Sequence, residues 1–199
     1  MRQHLILFIR APMLGTGKRR LAHDIGDVAA LRFERLMLAR LQRRLGRDRR
    51  WHMRLAVTPG RARHRKRLWP RGTPIVGQGR GDLGERMLHA LAACPPGPVV
   101  LVGADIPALS SHHIAEAFRL LGRHDFVFGP AADGGFWLVG ARRSPSLPVS
   151  FGEVRWSTLH ALEDALANLP RRVSVGFAAR LEDVDNGASF RRLAPRRGF

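Results

Sequence analysis

One cysteine, Cys94, stands in the 199 residues of this chain. An internal disulfide and a cysteine-built metal cluster are both excluded, which fits a reducing compartment and leaves Cys94 as a buried packing residue. Lysine is nearly absent too: Lys18 and Lys66 are the two among 34 basic residues, and the remainder are arginine. No apolar stretch reaches the roughly 18 residues that span a bilayer. The opening LILFIRAP reads as a strand and not as a signal peptide, so the expected location is the cytoplasm. The nine histidines lack metalloprotease spacing, no serine occupies a nucleophile elbow, and Cys94 has no evident base partner. His112 and His113 are expected to open a helix as solvated residues.

Acidic residues are also scarce, 16 against 34 basic ones, for a formal charge of +18. Arginines cluster at Arg40, Arg43, Arg44, Arg47, Arg49 and Arg50, and again in RARHRKR, residues 61–67. Base recognition would need aromatic platforms, and this second run has none before Trp69, so it reads as a solvated loop and argues against a nucleic-acid partner. The positive field would still draw in small anionic substrates such as nucleotides. Length and a 45% hydrophobic content suit one α/β domain. That domain is expected over residues 1–190, with a frayed basic tail at 191–199.

Apolar runs at Leu5 to Ile9, Met53 to Val57, Val99 to Val102, Phe126 to Phe128, Phe136 to Val139 and Val173 to Phe177 predict strands. Between them, helical spacing places Leu31, Leu38, Leu41 and Leu45 on one stripe beside Phe33 and Met37, with Gly46 as C-cap. Shorter helices are predicted around Leu83, Met87 and Leu91, around Ile114, Phe118 and Leu121, and around Leu159, Leu162, Leu166 and Leu169. Ser110 or Ser111 would cap the third of these four helices, and Ser157 or Thr158 the fourth. Alternating strands and helices give a mostly parallel sheet covered on both sides, a single three-layer α/β/α sandwich.

Within this frame the most informative run is VVLVGADIP, residues 99–107. A strand apolar throughout is buried on both faces, and here it delivers Asp105 to its C-terminal edge, where open α/β sheets bind ligands. One carboxylate there suits a divalent cation held against a phosphate; it equally suits an Asx-turn or a cap before Pro107. The first strand runs into RAPMLGTGKRRL, residues 10–21. Two glycines and several cations between a strand and a helix form a phosphate cradle, with Arg10, Lys18 and Arg20 as grips, or else a turn with solvated charges. A Walker A loop is excluded, because Pro12 replaces its first glycine and Arg19 its magnesium-binding hydroxyl.

Gly79, Gly81 and Gly84 match G-x-G-x-x-G, yet only Ile75 and Val76 precede them after Pro74, where a dinucleotide fold needs a full strand. Asp82, Glu85 and Arg86 then read as a polar helix start on the ligand side, or as caps and surface charge. Asp133 lies in a Gly-flanked turn with Gly134 and Gly135, beside Phe136 and Trp137; taken alone, a hairpin explains it. Glu182, Asp183 and Asp185 follow the last strand, where a second carboxylate would converge on the cation of Asp105, or form a surface turn.

Taken in order, RAPxxGxxKxRL, GDLGERM, GADIP, FGPAxDGGFWLVG, RWST and DVD resemble a bacterial family of glycosyltransferases with the GT-A, nucleotide-diphospho-sugar transferase fold. Some members are named for arsenosugar biosynthesis, and the fold is related to molybdenum-cofactor and phospholactate guanylyltransferases. The match covers residues 5 to about 190. The resemblance implies that the loop with Arg10, Pro12, Gly15, Lys18 and Arg20 holds the nucleotide diphosphate, with Asp82 nearby. It implies Mg²⁺ or Mn²⁺ on Asp105, with Asp185 as distal partner ahead of Asp183, and an acceptor pocket including Gly134, Gly135, Trp137 and Trp156. Arg19 departs from the family's threonine, and its DxD is reduced here to Gly103, Ala104 and Asp105.

The expected activity is transfer of a sugar from a nucleoside diphosphate sugar, with Asp105 on the leaving group and Asp133 orienting or deprotonating the acceptor hydroxyl. The alternatives are a nucleotidyltransferase, in which a phosphorylated acceptor attacks a nucleoside triphosphate and releases pyrophosphate, and, from a different class, a non-catalytic basic nucleic-acid-binding module.

Overall fold

A computed structural model describes residues 1–143 and 151–193. Strand β1 (Gln3–Arg10) owes its central place to a sequence with apolar residues on both faces. Leu5, Leu7 and Ile9 point into one apolar layer and Ile6 into the other, as a period of two requires. Beside it lie β2 (Trp51–Thr58) and β4 (Val99–Val102), both parallel to β1. With β3 (Ile75–Gly77), β5 (Phe126–Pro130), β6 (Phe136–Ala141) and β7 (Val175–Phe177) they form a seven-stranded sheet of order β3-β2-β1-β4-β6-β5-β7. Among these strands β6 is the one that runs antiparallel to its neighbours.

Helices α1 (Arg19–Ile25), α2 (Asp27–Leu45), α4 (Ser111–Leu121) and α6 (Gly187–Leu193) cover one face, and α3 (Leu83–Ala92) and α5 (Ala161–Ala167) the other. The result is the α/β/α sandwich that the alternating pattern predicts. On α2 the buried stripe is Ala30, Phe33, Met37, Leu38, Leu41 and Leu45, with Leu31 half-buried. Gly46 follows as its C-cap, in right-handed rather than left-handed backbone. Cys94 is buried beside α3.

Several local expectations are revised. Helix α5 is capped by His160, not by Ser157 or Thr158, because Thr158 Oγ1 already bonds the Arg155 carbonyl (2.7 Å) and the His160 N–H (3.2 Å) ahead of the helix. Leu159 is correspondingly exposed. The predicted last strand shortens to Val175–Phe177. Ile75–Gly77 does form a strand, but a three-residue one at the sheet edge, so the glycines after it lack the buried strand of a dinucleotide site. The basic run 61–67 folds into two 3-10 turns, Gly60–His64 and Lys66–Leu68, anchored by buried Ala62 and by Trp69, whose indole N–H reaches the Ala62 carbonyl at 2.8 Å. His113 is half-buried against Trp137 at 6.1 Å between ring centres, not solvated. Helix α6 carries residues 191–193, and the end of the basic tail, 194–199, lies outside the described residues.

His4 sits in β1 at 3% exposure, and neither ring nitrogen meets hydrogen-bond geometry with a partner among the described residues. Burial, helped by the charges of Arg54, His52 and Arg143, holds its pKa below the ordinary value of 6.5. The folded state thus binds a proton at His4 less readily than the unfolded chain. The neutral ring's contribution is fully present above pH 6.5 and is lost as pH falls through the lower folded-state value. Urea titrations should show the wild type losing stability relative to His4→Leu with a slope of up to about 1.4 kcal/mol per pH unit as pH falls from 6.5 to that value. Parallel pH profiles for the two proteins would refute this assignment.

Candidate active site

The loop from β1 to α1 is held from beneath by one carboxylate. Glu34, on α2, accepts the Lys18 backbone N–H at 3.2 Å. A Cβ at Gly17 would run into that carboxylate, so a larger residue there would push Glu34 away from the Lys18 N–H. Thr16 Oγ1 closes the turn on the Met13 carbonyl at 2.9 Å. Burial raises the pKa of Glu34, against the opposing pull of the Lys18 N–H and charge. Above the loop opens a cavity of about 410 Å³ lined by Arg10, Pro12, Thr16, Gly17, Lys18, Arg19 and Asp105, with Phe8 and Phe33 among its apolar walls.

Lys18 turns its ammonium away from solvent, its side chain 13% exposed, to meet three carboxylates: Asp105 at 2.7 Å, Asp183 at 3.7 Å and Asp185 at 3.8 Å. They converge because the 183–185 segment is pinned to the end of β4 by the Val184 N–H bond to the Asp105 carbonyl, 3.0 Å. Val184 is fully buried, so extended backbone turns Asp183 and Asp185 the other way, towards Lys18. Burial by itself would lower the Lys18 pKa; Asp105, with Asp183 and Asp185 behind it, reverses that and holds it above the ordinary lysine range. Asp183 is pushed up to about 6 by burial first and by the Asp105 charge second, with Lys18 opposing.

A second cavity, about 360 Å³, shares Phe8 and Asp105 with the first. It is walled by Leu83, Met87, Phe136, Trp137 and Trp156, and its lining includes Asp133, Gly135, Ser157, Thr158 and Asp183. The antiparallel β5–β6 hairpin brings its tip here. Asp133 Oδ1 accepts the Gly135 N–H at 3.0 Å, and Gly134, at φ +86°, packs so tightly that a side chain would overlap the Leu159 backbone. Trp137 bridges inward, its carbonyl taking the Gly103 N–H at 3.1 Å and its indole N–H reaching the Ala179 carbonyl at 3.0 Å.

Of the residues singled out from sequence, Arg10, Pro12, Lys18 and Asp105 meet at the first cavity, and Asp105, Asp133, Gly135, Trp137 and Trp156 at the second. Asp185 joins the Lys18 cluster, with Asp183 no further from the ammonium. Arg20 is paired with Asp185 at 3.1 Å, and Gly15 lines a separate cavity of about 370 Å³ with Met13, Ala22 and Asp27. Asp82 lines neither main cavity: it is the N-cap of α3 in a capping box with Glu85, and it accepts the Trp156 indole N–H at 3.2 Å. Sequence reasoning missed Glu34 and Phe8. The signal for Glu34 was present, since it falls three residues after Leu31 and four before Leu38, a lone carboxylate on the apolar stripe of α2.

Among solved structures, the fold matches a candidate nucleotide-diphospho-sugar transferase from Desulfovibrio desulfuricans G20 at 27% identity and a TM-score of 0.85, over 98% of this chain and 92% of that one. It also matches Rv0371c from Mycobacterium tuberculosis H37Rv in complex with manganese, at 19% identity and a TM-score of 0.58, over 97% and 98% of the two chains. A third match is CMP:2-keto-3-deoxy-manno-octonic acid synthetase complexed with CTP, at 11% identity and a TM-score of 0.60, over 96% of each chain. The last two share the fold alone. No curated protein matches the chain.

Removing the ammonium should expose how the carboxylates depend on it. Lys18→Met is expected to destabilise the protein by about 1–3 kcal/mol at pH 8, less than a fully buried pair because the cluster is partly solvated. The loss should shrink at pH 5, since Asp183, whose pKa lies at about 6, then takes up a proton; denaturant midpoints at the two pH values measure both. At the level of family, the model described as uncharacterized protein conserved in bacteria (DUF2064) matches residues 40–158, and this chain belongs to it.

Proposed function

We propose that the protein transfers a sugar from a nucleoside diphosphate sugar to an acceptor hydroxyl, the diphosphate lying in the first cavity and the acceptor in the second. The observation that carries this reading is the meeting of two cavities of opposite character at one carboxylate, Asp105. In the first, Arg10, Lys18 and Arg19 supply positive charge to a diphosphate, Lys as a point charge and Arg as a fork. The 27% identical match to a candidate nucleotide-diphospho-sugar transferase supports the substrate class. The motif resemblance to glycosyltransferases named for arsenosugar biosynthesis favours the glycosyl over the nucleotidyl form of the transfer.

The donor set also fits a hard divalent cation. Among the described residues no three His, Cys, Asp or Glu side chains stand as a ready metal site, but Asp105, Asp183 and Asp185 already gather round a positive charge, the Lys18 ammonium. All their donors are carboxylate oxygens, the ligands that Mg²⁺ and Mn²⁺ prefer. Held there, such an ion would neutralise charge on the departing diphosphate. In the transfer the acceptor oxygen bonds to the anomeric carbon, the bond from that carbon to the diphosphate oxygen breaks, and the diphosphate leaves with the electron pair. Lys18 and Arg10 stabilise that anion, and Asp133 takes the hydroxyl proton.

Calorimetry with UDP and GDP in the presence of Mn²⁺ tests the assignment. One of them should bind, and Asp105→Ala should weaken binding at least about tenfold, which is about 1.4 kcal/mol. Unchanged affinity in that variant would remove the metal role. Pyrophosphate release from a nucleoside triphosphate would move the protein to the nucleotidyltransferases, and duplex DNA binding with a steep salt dependence untouched by Asp105→Ala would make it a nucleic-acid-binding module.

A further inference from the structure

The second cavity runs against the charge of the molecule around it. The chain carries a net charge of +18, yet among the described residues lining this cavity the charged ones are Asp105, Asp133 and Asp183, with no lysine, arginine or histidine. The nearby cations are already partnered. Lys18 holds Asp105 at 2.7 Å, Arg86 donates to Gln78 Oε1 at 2.9 Å, Arg155 grips Asp164 at 2.7 and 2.8 Å, and Arg180 donates to the Ala132 carbonyl at 3.1 Å. A phosphate or carboxylate seated here would meet three carboxylates and no lining cation, the nearby Lys18 ammonium being already shared among Asp105, Asp183 and Asp185.

The walls indicate what does fit. Phe136 and Trp156 meet edge to face, ring centres 6.2 Å apart. The indole N–H of Trp156 is taken by Asp82 and that of Trp137 by the Ala179 carbonyl, so both rings offer carbon surface rather than donors. At the rim Asp133 spends Oδ1 on the Gly135 N–H and keeps Oδ2 without a partner among the described residues. Ser157 lines the same cavity in the left-handed region, φ +63°, a conformation that serine seldom adopts and that marks sites where the surroundings override local preference. Carbon faces for C–H surfaces, with oxygen acceptors at the edge for O–H groups, match a polyhydroxylated ring.

We propose that the second cavity takes an uncharged polyhydroxylated ring as acceptor and rejects phosphorylated acceptors. This inference rests on the transferase reading above and divides its two forms: glycosyl transfer needs only a hydroxyl from the acceptor, whereas the nucleotidyl alternative draws its nucleophile from a phosphorylated one.

The test compares binding of methyl α-D-glucopyranoside and glucose 6-phosphate to the full chain by saturation-transfer NMR, at 0.15 M salt so that the general positive field does not capture the phosphate. The glycoside is expected to bind at least about tenfold more tightly. Trp156→Ala should abolish its signal, and Asp133→Lys, a change on an exposed turn that leaves the apolar wall intact, should narrow or invert the preference. The proposal is overturned by equal or tighter binding of the phosphate, by a preference unchanged in Asp133→Lys, or by no saturable glycoside binding at millimolar concentration. Displacement of the glycoside by a nucleotide sugar but not by its nucleoside diphosphate would give the ring to the donor and overturn the acceptor assignment. Nucleoside diphosphate binding, followed in the same samples, is a separate readout. Its absence beside intact glycoside binding would defeat the transferase reading alone, and its presence beside phosphate preference would defeat this inference alone.

Discussion

The contact between the Lys18 ammonium and Asp105, 2.7 Å long and largely withdrawn from water, joins three segments that are remote in sequence. The β1–α1 loop supplies the lysine, the end of β4 the first carboxylate, and the strand-like segment before α6 the other two. Each carboxylate would be costly to hold so near its neighbours without a cation between them. Burial first, and the Asp105 charge second, keep the Asp183 pKa raised to about 6 even with the cation beside it. Glu34 beneath the loop is a second burden of the same sign, offset by the Lys18 N–H. The site thus concentrates negative charge around one ammonium, in a chain otherwise crowded with arginine.

That asymmetry continues into the cavities. Strands β1 and β4 are parallel neighbours, so the loops that follow them open in the same direction. The antiparallel strand β6 then returns past β4 and sets Phe136 and Trp137 next to Gly103 and Asp105, closing the second cavity with aromatic carbon. Arg10, Lys18 and Arg19 line the first cavity together with Glu34 and Asp105, whereas among the described residues the charged lining of the second is carboxylate alone. The proposed substrate arrangement, anionic end in the first cavity and uncharged ring in the second, follows this gradient.

Much of this was legible from the chain alone where a residue's role is local. The alternating apolar runs, the buried VVLV strand with Asp105 at its edge and the Gly-bounded turn at Asp133 all appear where their patterns place them. Misreadings arose where a neighbour distant in sequence took over. Asp82 resembles a ligand-side carboxylate, but its nearest donors are the Glu85 N–H and the Trp156 indole, which commit it to capping and bracing. Arg20 resembles a diphosphate grip, but Asp185 lies within 3.1 Å. Ser157 and Thr158 have cap chemistry, yet the backbone turns before the helix starts and spends the Thr158 hydroxyl there.

The sequence by itself determined the layers, the order of strands along the chain and the set of chemically capable side chains, because hydrophobic periodicity and glycine placement act over a few residues. Tertiary structure alone decided which of those side chains face one another. The convergence of Lys18 with Asp105, Asp183 and Asp185, the support from Glu34 and the absence of cations among the described residues lining the second cavity depend on contacts between segments up to 167 residues apart. Such contacts follow from how the sheet orders its strands, and no local pattern encodes that order.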